Sequence, residues 1–212
     1  AWLGLAAAGF SAATTPEERQ KIVDSLKWRT EGAIPLEQDV ATIKLRGGFR
    51  YLDSADASKV LTDLWGNPRQ QTLGMLFPPE DPKSDSVWGV IVEGFEKEGY
   101  VKDEDADKLD AGKMLEEIQD GQKEANEERK RQGYAELEIV GWAMPPRYDK
   151  DAKKLTWALD IKRTGSERHS VNYYVRILGR RGYLVLNALG GLDQVNQIEA
   201  ATPQVLSMVE FN

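Results

Sequence analysis

Between residues 136 and 190, four runs alternate apolar with polar residues, and that pattern leaves a chain few ways to fold. Leu137 and Ile139, then Leu155, Trp157, Leu159 and Ile161, then Val171, Tyr173, Val175 and Ile177, then Leu184, Leu186 and Ala188 recur at every second position. This is the period of a strand with one buried face. Tyr148-Asp149-Lys150-Asp151, Arg163-Thr164-Gly165-Ser166 and Gly179-Arg180-Arg181-Gly182 separate the runs, with residues that tolerate turn dihedrals. The expectation is a four-stranded antiparallel meander whose apolar residues share one inner layer.

Alternation then assigns the second face Trp142, Asp160, Asn172, Tyr174, Arg176, Tyr183 and Asn187. Aromatics mixed with amides and an arginine are what a recognition surface uses. They are equally what a sheet presents to a covering helix. A long helix expected from Ala111 to about Gln132 offers such a cover, since Gln122, Asn126 and Arg129 fall on one side of it at helical spacing. Internal packing is the favoured reading of this face, and a groove or partner surface is the alternative. The candidate binding residues are therefore Trp142, Asn172, Tyr174, Arg176, Tyr183, Asn187, Asn126 and Arg129.

Elsewhere the chain predicts short elements of both kinds. Thr15-Pro16-Glu17-Glu18 has the residue types of a capped helix start, and a helix runs to about Leu26. Two extended runs follow to Leu45, joined through Gly32-Ala33-Ile34-Pro35, and then a short strand from Phe49 to Leu52. Asp53 or Ser54 caps a helix with the stripe Val60, Leu61, Leu64 and Trp65, which Gly66-Asn67-Pro68 ends. Strands are expected from Thr72 to Phe77 and from Ser86 to Phe95, the second central because it is nearly continuous in apolar residues. Past the meander, two helices are expected, Leu192 to Ala200 and Pro203 to Val209, the second capped by Thr202. With no repeat and no low-complexity linker, residues 14–212 read as one α+β domain.

The opening Ala1-Trp2-Leu3-Gly4-Leu5-Ala6-Ala7-Ala8-Gly9-Phe10, followed by small residues at 11–13, resembles the end of a secretory signal with a cut before Thr14. The other reading is an ordinary apolar N-terminal helix. Export implies a domain outside the cytoplasm.

Composition removes several chemistries. Without cysteine there is no disulfide, zinc-thiolate site or thiol nucleophile, and a single histidine, His169, excludes a histidine-rich metal centre. The net charge is −7, distributed unevenly: residues 93–133 carry 14 acids and 8 bases, whereas residues 134–190 carry 6 and 10. An acidic protein is a poor general binder of nucleic acid, so none is expected as a partner. Asp103, Asp105 and Asp107 match the first odd positions of a calcium loop, but Lys108 and Met114 stand where it needs glycine and glutamate. The glycine pairs lack the strand-loop-helix frame of a phosphate loop. No metal, cofactor or catalytic residue is assigned, and His169 reads as a surface residue.

The chain resembles a bacterial family described as predicted membrane-anchored proteins, domain-of-unknown-function family 2167. The resemblance rests on Gly48-Phe49-Arg50-Tyr51-Leu52, Trp65-Gly66-Asn67-Pro68, Leu73-Gly74-Met75-Leu76 and Gly99-Tyr100-Val101, with Asn126 and Arg129. It is densest at Gly141-Trp142-Ala143, Pro145-Pro146, Leu155-Thr156-Trp157-Ala158, Val171-Asn172-Tyr173, Arg176-Ile177-Leu178-Gly179-Arg180 and Leu186-Asn187. It implies no known activity. What it does imply is an exported domain ahead of membrane-spanning helices that lie beyond Asn212. A looser likeness, of fold alone, is to the α+β sheets of the Mog1 and PsbP kind.

Together these give a non-enzymatic, periplasm-facing module for interaction or envelope assembly, with an envelope or membrane protein as partner. The alternatives are a hydrolase acting on an envelope substrate and a periplasmic ligand-binding sensor. Converging carboxylates in a concave pocket would favour the hydrolase, and an apolar cavity the sensor. A flat exposed aromatic patch would favour the interaction module.

Overall fold

A computed structural model describes residues 5–11, 13–36, 40–80, 87–96, 109–179 and 182–212. The chain begins with helix α1 (Pro16–Ser25), which has the expected capping box: the Thr15 hydroxyl accepts from Glu18 N, and Glu18 Oε2 accepts from Thr15 N. Strands β1 (Ala33–Pro35), β2 (Ala41–Lys44) and β3 (Arg50–Asp53) follow. The Gly32-to-Pro35 stretch expected as a connection is thus itself largely a strand. Asp53 caps α2 (Ser54–Ser58), which runs on as a π-helix (Lys59–Leu64). Then come β4 (Gly74–Phe77), β5 (Gly89–Glu96) and α3 (Ala111–Arg131), the last capped by Asp110. The four alternating runs become β6 (Leu137–Asp149), β7 (Lys154–Arg163), β8 (His169–Gly179) and β9 (Gly182–Gly191). Helix α4 (Val195–Ser207) and β10 (Val209–Phe211) complete the described chain.

The two C-terminal helices expected from the sequence are one. Pro203 lies inside α4, where its missing N–H and its ring oppose the helix. The Thr202 hydroxyl donates to Ile198 O instead of capping, and buried Ile198 and Val205 hold both sides of the proline against the core.

The meander belongs to a larger sheet of seven strands in the order β3-β4-β5-β9-β8-β7-β6, and β1-β2-β10 form a second, three-stranded sheet. Cross-strand register sorts the side chains. Trp157 lies opposite Tyr174, which lies opposite Asn187; Ala158 lies opposite Tyr173, which lies opposite Ala188. The expected single inner layer is therefore split. Val171, Tyr173, Val175, Leu184 and Leu186 face the small sheet and α4, together with Trp88, Val90, Ile43, Ile198 and Val205. Trp157, Leu159, Ile161, Leu137 and Ile139 face α3, in company with Tyr174 and Val185. Asp160, expected beside Asn172, pairs with Val171 and lies on the α4 side. Alternation fixes the phase within a strand, but the phase between strands depends on register. Apolar cover on both faces is why β7, β8 and β9 bury neighbouring residues.

Candidate functional site

The α3 side of the sheet is where the polar residues gather, and the segment at residues 5–11 runs through them. Leu5, Ala6 and Ala7 are buried, Ala6 within the cluster under α2 and its π-helical extension, Leu5 and Ala7 within the cluster under α3. The segment thus occupies the seam between the two helical covers. Four side chains from separate elements hold its main chain. Asn67 accepts from Ala7 N and donates to Ala7 O, both at 2.9 Å, as a neighbouring strand would. Asn172 Nδ2 donates to Ala6 O at 2.8 Å. Arg129 Nη1 reaches Leu5 O at 3.4 Å, and Arg163 Nη2 reaches Ala7 O at 3.5 Å while donating to Trp65 O at 2.8 Å.

Trp65-Gly66-Asn67 does more than end a helix. Ser11 N donates to Leu64 O at 2.7 Å, and the chain passes so close that a Cβ on Gly66 would lie 3.0 Å from Ser11 Cβ. Gly66 also has φ +67°, so a side chain there would be strained twice over.

From Asn172 the polar chain continues inward. Asn187 Nδ2 donates to Asn172 Oδ1 at 3.2 Å and to Glu93 Oε1 at 2.9 Å. Glu93 sits at the register shift between Val92 and Gly94, a β-bulge that turns an extra side chain onto this face. Burial pushes the Glu93 carboxyl up to about 7, against the opposing pull of the Asn187 hydrogen bond and the Arg176 charge. Tyr174 is raised well above its ordinary value, by burial first and then by the Glu93 charge. Its ring stacks on Trp157 with centroids 5.0 Å apart, and the Arg176 guanidinium lies 5.0 Å from the Trp157 ring centre and 5.1 Å from that of Tyr183.

The remaining candidates anchor α3. Trp142 Nε1 donates to Ala111 O at 3.2 Å, tying β6 to the start of that helix. Asn126 accepts from Leu137 N and donates to Leu137 O, so its amide extends the end of β6. Arg129 Nε donates to Ala135 O at 2.7 Å. Burial, then the neighbouring Arg163 charge, brings the Arg129 guanidinium down to about 10, and burial lowers Arg163 too. Among the described residues no carboxylate forms an ion pair with either, so carbonyl oxygens solvate the two charges.

All eight candidate residues therefore lie on one side of the sheet. Asn172, Asn187, Tyr174 and Arg129 are buried, and Trp142, Tyr183, Arg176 and Asn126 are half-buried. The flat aromatic patch expected of an interaction surface is not displayed: among the described residues the exposed large apolar side chains are Leu109, Val140 and Phe211. Where the N-terminal segment leaves the seam, a cleft of about 850 Å³ opens, lined by Phe10, Ser11, Tyr134, Arg163, Arg168 and His169. His169 is not a plain surface residue. Its Nδ1 lies 2.6 Å from Asp160 Oδ1, its one hydrogen bond among the described residues, which fixes the ring but offers no nucleophile. Most of the aspartate run lies outside the described residues, and among those described no acidic or histidine cluster could hold a metal. No helix among them is long and apolar enough to cross a membrane.

Asn67, Arg163 and Glu93 were not singled out by the sequence as site residues. Glu93 had a legible signal, an acid directly after the apolar run Val87 to Val92. Asn67 and Arg163 read as turn residues, because nothing local reveals that residues 5–7 return to meet them.

A family model described as "Protein of unknown function (DUF2167)" matches residues 28–212. No curated protein matches the sequence. Among solved structures, the chain is similar to the solution structure of cyanobacterial PsbP (CyanoP) from Synechocystis sp. PCC 6803, at 12% identity and TM-score 0.44, over 97% of this chain and 98% of that one. It is also similar to the Ran-binding protein Mog1p of Saccharomyces cerevisiae, at 13% identity and TM-score 0.38, over 87% and 93%. Likenesses of that size carry no functional argument.

Proposed function

We propose, on the premise that this chain belongs to the DUF2167 family of proteins of unknown function, that it is a non-enzymatic interaction module working outside the cytoplasm. In this reading it faces the periplasm with residues 5–11 kept in place rather than lost to a cut before Thr14, is carried by a membrane anchor outside residues 1–212, and engages an envelope or membrane protein. One observation supports it above the others: Asn67, Arg129, Arg163 and Asn172 come from four separate elements and converge on the main chain of an extended segment. Groups that bind backbone, beside apolar side-chain sites, are the working parts of peptide recognition. The cleft adjoining them gives a partner access.

The test is a photo-crosslinking amino acid placed in living cells at Arg168, on the cleft rim, or at Glu117, on the far surface of α3. A discrete envelope-protein adduct from the rim position and none from α3 is the expected result. Adducts equal at both positions, or confined to cytoplasmic proteins, would overturn the reading.

A further inference from the structure

Residues 5–7 fill their seam as a ligand fills a site. The contacts Asn67, Asn172, Arg129 and Arg163 make to them are all to peptide N–H and C=O groups, so they read an extended backbone rather than a sequence. Side-chain selection is by size. Ala6 and Ala7 are each 1% exposed within packed clusters that also hold Trp65, Leu159 and Ile118, where a bulkier residue would force the core to shift. The site keeps unused polar capacity: Arg129, itself 4% exposed, leaves Nη2 without a partner, and inward of Asn172 the Asn187 Oδ1 is likewise buried and unpartnered among the described residues. All four wall residues lie within the stretch matched by the family model, and residues 5–11 lie before it.

We infer that the seam between α3 and the π-helix is a peptide-binding groove for an extended, alanine-rich apolar segment, filled in cis by residues 5–7 and open to a separate segment of the same chemistry. This rests on the interaction reading and names its partner class. Anchored by Ser11 N on Leu64 O and leaving through the open cleft, the resident segment has a route out that does not cross the core under α4. Displacement is competition for one set of donors and acceptors: a new segment replaces each hydrogen bond the old one gives up.

The experiment uses the full chain, with a protease recognition sequence inserted after the exposed Ala13 and cut only after folding. Expected is a nicked protein that keeps its melting profile and exchanges its N-terminal piece, one for one, for a labelled synthetic peptide with the sequence of residues 5–11. A peptide carrying Ala6→Trp and Ala7→Trp should bind at least tenfold more weakly, and so should the parent peptide to an Asn67→Leu protein. Because the peptide changes leave the protein untouched, a misfolded Asn67→Leu variant does not blunt the test. A nicked piece that never exchanges, a protein that unfolds when the piece leaves, or equal binding of the bulky peptide would each overturn the inference. A rim crosslink to an envelope protein that survives any of these results would leave the interaction reading standing while the groove falls.

Discussion

The two faces of the seven-stranded sheet are buried by different means. Toward α4, Leu184 and Leu186 meet Val90, Ile198 and Val205 in an aliphatic and aromatic cluster, and the void left against α4 is only about 10 Å³. Toward α3, the strands present Asn172, Asn187, Tyr174 and Arg176, and the cover brings Arg129 and a peptide main chain to that side. The first face draws its stability from apolar area removed from water, which is indifferent to partner identity. The second depends on polar groups finding partners, and the match is incomplete, since Arg129 Nη2, Gln122 Oε1 and Asn187 Oδ1 are buried without one among the described residues. Uniform packing closes a face. A polar seam with groups still unpartnered leaves one that another molecule with the right groups can enter.

The largest difference should come from the apolar face. Leu184 is fully buried, and cutting it to alanine removes contacts that α4 and the small sheet cannot rebuild. Leu184→Ala is expected to cost about 3 to 4 kcal/mol, read from urea unfolding as a lower midpoint with an unchanged slope. If the loss stays under about 1 kcal/mol, that face is not the closely packed one, and the comparison fails at its first step.

Next in size is a pH dependence that comes from the polar face. The Glu93 carboxyl is raised from an ordinary 4.5 to about 7, chiefly by burial, so the folded state holds a proton that the unfolded chain releases across that interval. Its stabilising effect is complete below about 4.5 and is lost as pH rises through about 7. At 1.36 kcal/mol per unit this is on the order of 3 kcal/mol. Glu93→Gln keeps an acceptor for Asn187 and should flatten that part of the stability profile between pH 5 and 8. A wild-type profile already flat there would show that Glu93 is solvated and that the polar seam is wetter than described.

How much of this was legible in the sequence differs by face as well. Alternation in β6 to β9 gave the strands, Asn172, Tyr174 and Arg176 share a side because residues on one strand keep their phase, as do Tyr183 and Asn187, and helical spacing put Asn126 and Arg129 on the facing side of α3. What it could not give was the phase of β7 against β8. Trp157 next to Ala158 and Leu159 reads equally well in either phase when both faces are apolar, so the runs merged into a single supposed inner layer. The role of residues 5–7 was hidden for another reason. An alanine-rich opening has the composition of a secretory signal and carries no periodicity, and only contacts with residues far along the chain, such as Asn67 to Ala7 and Asn172 to Ala6, reveal its place in the fold. Pro203 misled through a sound local rule overridden by burial on both sides of it.

A smaller effect should come from Asn172 itself. Asn172→Ala removes the donor to Ala6 O and the acceptor for Asn187 Nδ2, an expected loss of about 2 kcal/mol. Combined with Asn187→Ala, the loss should fall short of the sum by about 1 kcal/mol, because the two amides share a bond. Strict additivity in the double-mutant cycle would mean that the amides act independently, and the chain from Ala6 to Glu93 would not be a unit.

The smallest effect tests whether α3 is a separable cover. Its buried residues among those described are Ile118, Gln122 and Arg129, little apolar area for a helix that runs from Ala111 to Arg131, so its own terminus contributes a larger share of its hold. Asp110 accepts from Lys113 N at 3.0 Å, and the cap lies next to Ala111, whose carbonyl takes the Trp142 indole. Asp110→Ala should cost about 1 kcal/mol. The loss should be local, with faster amide exchange in the first two turns of α3 and no change in strands β8 and β9, since their other face stays sealed by α4. If exchange instead quickens evenly across both faces, α3 and the apolar core open together, and the polar seam has no independent opening through which a second peptide could enter.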